Sequence, residues 1–463
     1  MSGKMRYTWE DGACRGNIGR LRFEMAKPDE RRVVITGMGL ISPLGNDYST
    51  FASALRNGQS GVTPLSKENG EDTVIGYGGA AREFSGHVDD FGDLDKDQKR
   101  AIRKGIKLMC REIQMGVAAA QLSLQHAGLS AGDYDPNRSG VVYGCDHILS
   151  THEEFVDAIG ACIKDDQAFS LSRWTERGMS QVTPLWLLKY LPNMPASHIA
   201  IYNDLRGPNN SLTYREASGN LALGEAYTTI RRGSAETMIA GATGCSMAML
   251  KTLHVAVQYQ IANGQHQASQ AARPFDLERT GMVPGEGAGA IVLETLERAQ
   301  ARGAQIYGEI VGVGSSVAQT RTGAARSRLA MANAMRASLR SADFSIDDIG
   351  HVHAHGLGTR QMDIDESSAI NDVFSARRQP VPVVAAKSYF GNLGASTGLI
   401  ELMASIQAWE SDRLFPVQNY ETPDPDCQIA VVRDDKTPAG SCFLNLNCSP
   451  QGQASAALVR QFA

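Results

Sequence analysis

The sequence predicts an α/β fold in which strands alternate with helices in two related halves. Three observations carry this. Short apolar, β-branched runs recur along the chain. Segments with apolar residues at helical spacing lie between them. Residues 306–314 (Ile-Tyr-Gly-Glu-Ile-Val-Gly-Val-Gly) resemble the opening run at 32–39 (Arg-Val-Val-Ile-Thr-Gly-Met-Gly), down to the Gly-x-Gly ending.

A chain of 463 residues has room for a large core and more than one structural unit. At 42% hydrophobic and 21% charged it is globular in composition. The net charge of −5 argues against a general nucleic-acid binder. No apolar run approaches the roughly 20 residues of a membrane-spanning helix. Residues 1–32 mix charged residues with glycine and read as an appended arm without a secretory signal. Eight cysteines are scattered with no CxxC pair, which predicts reduced thiols and a cytoplasmic location. Cys442 and Cys448 could meet across a strand; the plainer expectation is two buried small apolar residues.

Taken in order, residues 32–39 predict a buried strand followed by a tight loop at the glycines. Residues 94–129 carry helical signals, with Ile102, Ile106, Met109, Cys110 and Ile113 recurring at helical spacing. The opposite face is basic: Lys96, Lys99, Arg100, Arg103, Lys104, Lys107 and Arg111. It is either an ordinary solvated face or one that steers an acidic partner. Residues 140–144 predict a second strand and 237–242 a third.

Between those two strands, residues 207–219 read as a strand that turns sharply into a helix. The turn presents Glu216 at a helix N-terminus, beside free backbone N–H groups. Such groups lower a thiol's pKa and can hold an oxyanion, yet the residue here is a carboxylate. Its helix keeps Leu221, Leu223, Ala226, Tyr227 and Ile230 as apolar positions and stops at Gly233. The glycines at 285–289 are followed by no Lys-Ser/Thr, so they predict close backbone packing rather than a phosphate loop. In the second half, His351, His353 and His355 have strand spacing and can face one side. A metal site is the sharper reading and packed inner-strand residues the plainer one; no metal is expected.

Four segments together resemble the β-ketoacyl-acyl-carrier-protein synthases, of the elongating type in the thiolase-like superfamily. They are 33–45 (VVITGMGLISPLG); Arg273-Pro274-Phe275-Asp276 with Gly285 to Gly289 and Leu293-Glu294; Ala354-His355-Gly356; and Lys387-Ser388-Tyr389-Phe390-Gly391-Asn392. Order and spacing fit from about residue 32 to the end. The resemblance implies a thiolase-like five-layered αβαβα core, with an extension at 1–31, one half at 32–300 and the other at 301–463. It implies a dimer, homomeric or paired with a Cys-bearing ketosynthase, whose interface lies near the strand before Glu216. It implies acyl thioesters on acyl carrier protein as substrates and calls for no cofactor. The strip Lys96, Lys99, Arg100, Arg103, Lys104 and Lys107 becomes a candidate docking site for that carrier.

The family condenses with a Cys–His–His set and a supporting Lys. Carried over, this chain places Glu216 for the Cys, His355 for the first His, Lys387 for the Lys and Asn392 for the second His. Of the family's Thr-Ser-Thr after the first His, only Thr359 remains, behind Leu357 and Gly358. The family's glycine gate corresponds to about 449–453, where Gln451 and Gly452 are candidate substrate contacts and Pro450 offers no N–H. Asp363 and Glu366 keep the family's structural acidic pair.

Glu216 then has three readings. It imitates an acylated cysteine, as the Gln of chain-length factors does; it is an acid or base in altered chemistry; or it is an inert carboxylate neutralised by the helix and by Arg215 or Lys387. The expected function is a non-elongating homologue that pairs with an active ketosynthase or holds carrier protein. The alternative is a malonyl decarboxylase or acyltransferase using Glu216, His355, Lys387 and Asn392. Cys145, next to a strand, is a further candidate for a replacement nucleophile.

Overall fold

A computed structural model describes residues 31–65, 75–164 and 167–462; most of the N-terminal arm, Cys14 included, lies outside them. The first strand, β1 (Val33–Ile41), is buried throughout and runs straight through the glycines at which the sequence predicts a loop. The remaining strands are β2 (Val62–Pro64), β3 (Tyr77–Gly79), β4 (Ser139–Cys145), β5 (Asn209–Leu212), β6 (Thr237–Cys245), β7 (Glu286–Thr295), β8 (Gly308–Val317), β9 (His351–His353), β10 (Pro382–Val384), β11 (Ala430–Val431), β12 (Cys442–Cys448) and β13 (Gln453–Arg460). β2 and β3 form a small separate pair.

The glycines of β1 serve packing rather than turning. A Cβ on Gly37 would lie 2.3 Å from the Ser123 carbonyl oxygen, and one on Gly39 2.2 Å from that of Ala119. Only glycine admits helix Arg111–His126 so close to the strand. In β8 a Cβ on Gly312 would lie 2.4 Å from the Ser338 oxygen and one on Gly314 2.2 Å from that of Ala334, which admits helix Ser327–Ala342. The internal repeat in the sequence is therefore one helix-on-strand contact made twice.

The topology repeats as well. In the first half the order is β1-β7-β6-β4-β5, with the first two pairings antiparallel and the last two parallel. In the second it is β8-β13-β12-β9-β10 with the same pattern, and β11 extends the edge. The halves join where β1 pairs antiparallel with β8: Val33 opposite Ile310, Val34 opposite Glu309, Ile35 opposite Gly308. Helices Arg111–His126 and Met194–Tyr202 cover the first half, Ser327–Ala342 and Arg360–Phe374 the second. Helices Ser218–Arg231 and Thr397–Ser411 lie between and touch strands of both. This is the five-layered αβαβα arrangement of the thiolase-like fold. The inner helix Thr397–Ser411 is buried from Thr397 to Ala408, its polar Glu401 and Ser405 included.

The helical signal at 94–129 resolves into two helices. Lys96–Gly105 ends in a tight turn at Ile106–Leu108, Met109 and Cys110 are extended, and Arg111–His126 follows. The break takes Arg111 off the basic face. Its guanidinium pairs with Glu286 at 2.7 Å and donates to the carbonyls of Phe84 and Ala81. Lys96, Arg100, Arg103, Lys104 and Lys107 stay exposed, while Lys99 pairs with Asp89. Cys442 and Cys448 stand at opposite ends of the same strand, so they do not face each other, and both are free thiols.

Candidate active site

The sharp turn predicted before Glu216 is made by Arg215, whose φ of +54° lies in the left-handed region. β5 ends at Leu212, a single tight turn spans Arg215–Ala217, and helix Ser218–Arg231 begins at once. Ser455 of β13 donates to the Ala217 carbonyl at 3.0 Å, which fastens the turn to the second half. Glu216 points inward and is completely buried.

Its Oε1 accepts two hydrogen bonds, from the Tyr259 hydroxyl at 2.6 Å and from Asn392 Nδ2 at 2.9 Å. Oε2 has no hydrogen-bond partner. Asn392 Nδ2 also lies 2.9 Å from Met282 Sδ, and its Oδ1 accepts from Gly394 N–H and the Thr397 hydroxyl. Burial pushes the Tyr259 phenol well above its ordinary pKa, and Glu216 adds to the effect. Tyr259 is therefore a neutral donor.

Lys387 does not neutralise Glu216. Its Nζ pairs with Glu401 Oε1 at 2.6 Å, donates to the His355 carbonyl at 2.5 Å and stands 3.3 Å from His355 Nδ1. Asn447 donates to the other Glu401 oxygen at 2.7 Å. Burial and the Lys387 charge hold His355 well below the usual histidine range, so its ring is neutral. With an ammonium facing Nδ1, the ring proton sits on Nε2, which is buried without a partner. Glu366 accepts from the N–H groups of His355 and Gly356, and Asp363 from those of Phe275 and Gly358. The acidic pair thus holds the loop that carries His355.

His351 and His353 form a one-way chain of hydrogen bonds. Ala386 N–H donates to His353 Nε2, so His353 Nδ1–H donates to Ser405 Oγ at 2.8 Å. Ser405 in turn donates to His351 Nε2 at 3.0 Å, and His351 Nδ1–H reaches the Ala439 carbonyl at 2.8 Å. Every ring nitrogen of the two is taken. Burial brings His351 down to about 4 and holds His353 well below the usual histidine range. Among the described residues no cluster of His, Cys, Asp and Glu has metal-ligand geometry.

Leu357 packs with Val255, Tyr259 and Met282 in an apolar plug. The space left between Leu357, Lys387, Val283 and Asn392 is about 10 Å³, room for about one water molecule. Thr359 is buried at the start of helix Arg360–Phe374, with no capping bond from its side chain. Gln451 and Gly452 lie in the turn between β12 and β13. Gln451 is exposed, its carbonyl accepts from Gln319, and Gly452 packs on Ala318 and Ala325. The hydrogen bonds of this turn anchor it to the end of β8 and the segment after it, and none of those described reaches Glu216. Cys145 is fully buried and its thiol is pushed far up by burial and by Glu112, the opposite of an activated nucleophile.

Tyr259, Met282 and Glu401 escaped the sequence reading. Each is an ordinary residue type at no marked spacing, and Tyr259 lies 43 positions from Glu216 in the chain.

The fold and the layout of His355, Lys387 and Asn392 around one buried turn define a ketosynthase-type protein, and the chain belongs to the β-ketoacyl synthase family. The family's N-terminal domain matches residues 30–299 and its C-terminal domain residues 307–421. The chain is 30% identical over 411 residues to 3-oxoacyl-[acyl-carrier-protein] synthase 2 of Synechocystis sp., covering 88% of this chain and 92% of that protein. It is 29% identical over 432 residues to the Staphylococcus aureus protein of the same name, covering 93% and 98%. Among solved structures it is similar to a ketosynthase bound to a hexaketide in complex with its type II polyketide acyl-carrier protein (AntDE:AntF), with TM-score 0.77, 25% identity and coverage of 94% and 100%. It is also similar to the ishigamide ketosynthase/chain length factor, with TM-score 0.76, 26% identity and the same coverage. No described helix is long and apolar enough to cross a membrane.

Proposed function

We propose that this chain is a non-elongating ketosynthase homologue that acts as a chain-length-factor-like partner in fatty acid or polyketide synthesis. The observation that carries this reading is Glu216. A carboxylate stands where the family's thiol would attack, and one of its oxygens is already engaged by Tyr259 and Asn392. The apolar plug of Val255, Tyr259, Met282 and Leu357 supports it, as does the space beside Asn392 and Lys387, which at about 10 Å³ admits no malonyl group. The chain would shape the acyl tunnel of a Cys-bearing partner or hold carrier protein on its basic strip.

Intact-mass analysis after incubation with acyl-loaded carrier protein tests the reading. No covalent adduct is expected, and co-elution with an active ketosynthase is. Stable acyl transfer to any side chain of this chain would overturn it.

A second reading rests on His355 Nε2, a buried donor with no partner. With Asn392, once its amide turns from Met282 Sδ, it would supply two neutral donors to a developing enolate oxygen, and the chain would then release carbon dioxide from malonyl-carrier protein. Equal release by wild type and a His355→Ala variant would eliminate this reading.

A further inference from the structure

Helix Met249–Gln258 leads into Tyr259, which caps Glu216, yet its faces are inverted. Leu250, Leu253 and Val257 point to solvent, Val257 being 88% exposed, while Lys251, Thr252 and Val255 point inward with Tyr259 just beyond the helix. Val255 and Tyr259 join the apolar plug of Met282 and Leu357, and polar side chains make the helix's other described inward contacts. Lys251 donates to the His147 carbonyl, Thr252 donates to the Ser246 carbonyl at 2.9 Å, and Gln258 accepts from Arg215.

These contacts centre on one carboxylate. Asp146, just past the end of β4, is fully buried. Its Oδ2 lies 3.4 Å from Lys251 Nζ and its Oδ1 3.5 Å from Arg215 Nε. The Arg215 guanidinium sits over the Tyr259 ring, 5.3 Å from its centroid. Gly394 makes room for this anion, since a Cβ there would lie 2.9 Å from Oδ2. Asp146 thus stands between two buried cations. One belongs to helix Met249–Gln258, and the other to the turn that bears Glu216.

We propose that Asp146 is a positioning residue: by bridging Lys251 and Arg215 it fastens helix Met249–Gln258, and with it Tyr259, over Glu216, so that the site is shut by a charge lock. Losing this anion loosens the helix, because its buried Lys251 is held through Asp146 and the neighbouring carbonyl of His147. The strained backbone of Arg215 is sustained by the same partners. The lock goes beyond the partner reading and stands whether or not Glu216 performs chemistry.

Hydrogen–deuterium exchange on the full chain tests it. In Asp146→Asn the amides of 249–259 are expected to exchange at least ten times faster than in wild type, with helix Thr397–Ser411 unchanged. The double variant Asp146→Asn with Lys251→Met leaves no unpaired charge from that ion pair. It is expected to regain thermal stability while 249–259 still exchange fast. If the double variant exchanges like wild type, Asp146 only balances a buried charge and the lock is wrong. Unchanged exchange at 249–259 in Asp146→Asn, or acceleration spread over the whole chain, overturns it too. Failure here leaves the acyl-loading result untouched, so the two ideas fall separately.

Discussion

Tyr259 donates its phenolic hydrogen to Oε1 of Glu216 across 2.6 Å inside a site closed to solvent. A buried carboxylate oxygen deprived of such a donor is costly, and Asn392 compensates only in part. Tyr259→Phe is therefore expected to destabilise the fold by about 1–2 kcal/mol, measured by urea unfolding. In a double-mutant cycle with Glu216→Ala, a coupling energy above about 0.5 kcal/mol is expected. Additive losses would mean that the contact has no energetic weight.

Placing sulfur at position 216 alone is not expected to give condensation. Glu216→Cys leaves Leu357, Met282 and Tyr259 packed over the thiol, so no 3-oxoacyl product is expected by mass spectrometry with acyl- and malonyl-carrier protein. Product from this single variant would show that the plug opens readily.

Two buried acids set an alkaline limit on stability. Burial pushes Glu112 and Glu366 up to about 8, from the usual 4.5. In both, the folded chain keeps a proton that the unfolded chain has lost. Their favourable contribution is complete below about 4.5 and disappears as pH rises through about 8. The urea midpoint is expected to fall between pH 6.5 and 8.5, and to fall less in Glu112→Gln, which has no proton there to lose. An equal fall in both proteins would refute the assignment.

The two halves make the same demand at equivalent glycines. Gly39→Ala and Gly314→Ala each place a Cβ 2.2 Å from a helix carbonyl, and each is expected to cost roughly 1–3 kcal/mol. Gly264→Ala meets nothing within 4 Å and should stay within about 0.5 kcal/mol of wild type. Thermal unfolding of the three variants decides the matter.

If the basic helix holds an acidic carrier, reversing Arg100 and Lys104, one turn apart and exposed, should weaken carrier binding about tenfold at low salt, or about 1.4 kcal/mol. The difference should shrink at high salt, as titration calorimetry at two ionic strengths would reveal. Binding unaffected at low salt would return this face to ordinary solvation.

What could be read in advance was local. The two Gly-x-Gly runs pointed to a duplicated unit, although their purpose, close approach of a helix, depends on residues 80 or more positions away in β1. The turn at Glu216 and the motifs at His355, Lys387 and Asn392 were legible because each is short and contiguous. The closure over Glu216 was not. Tyr259, Met282, Asp146 and Lys251 come from separate segments, and a lysine facing inward from a helix with leucines outside defeats any reading by amphipathic pattern. The split of residues 94–129 was equally hidden, since Arg111 leaves the helical register for a glutamate in β7.

The three-residue seam between β1 and β8 has its own implication. Equivalent strands running antiparallel against each other are related by a local twofold axis, the way identical subunits meet. The two halves thus meet in the manner of a homodimer within one polypeptide. Tethered copies no longer need to stay alike, and here one contributes the turn with Glu216, while the other supplies Asn392, whose amide reaches that carboxylate.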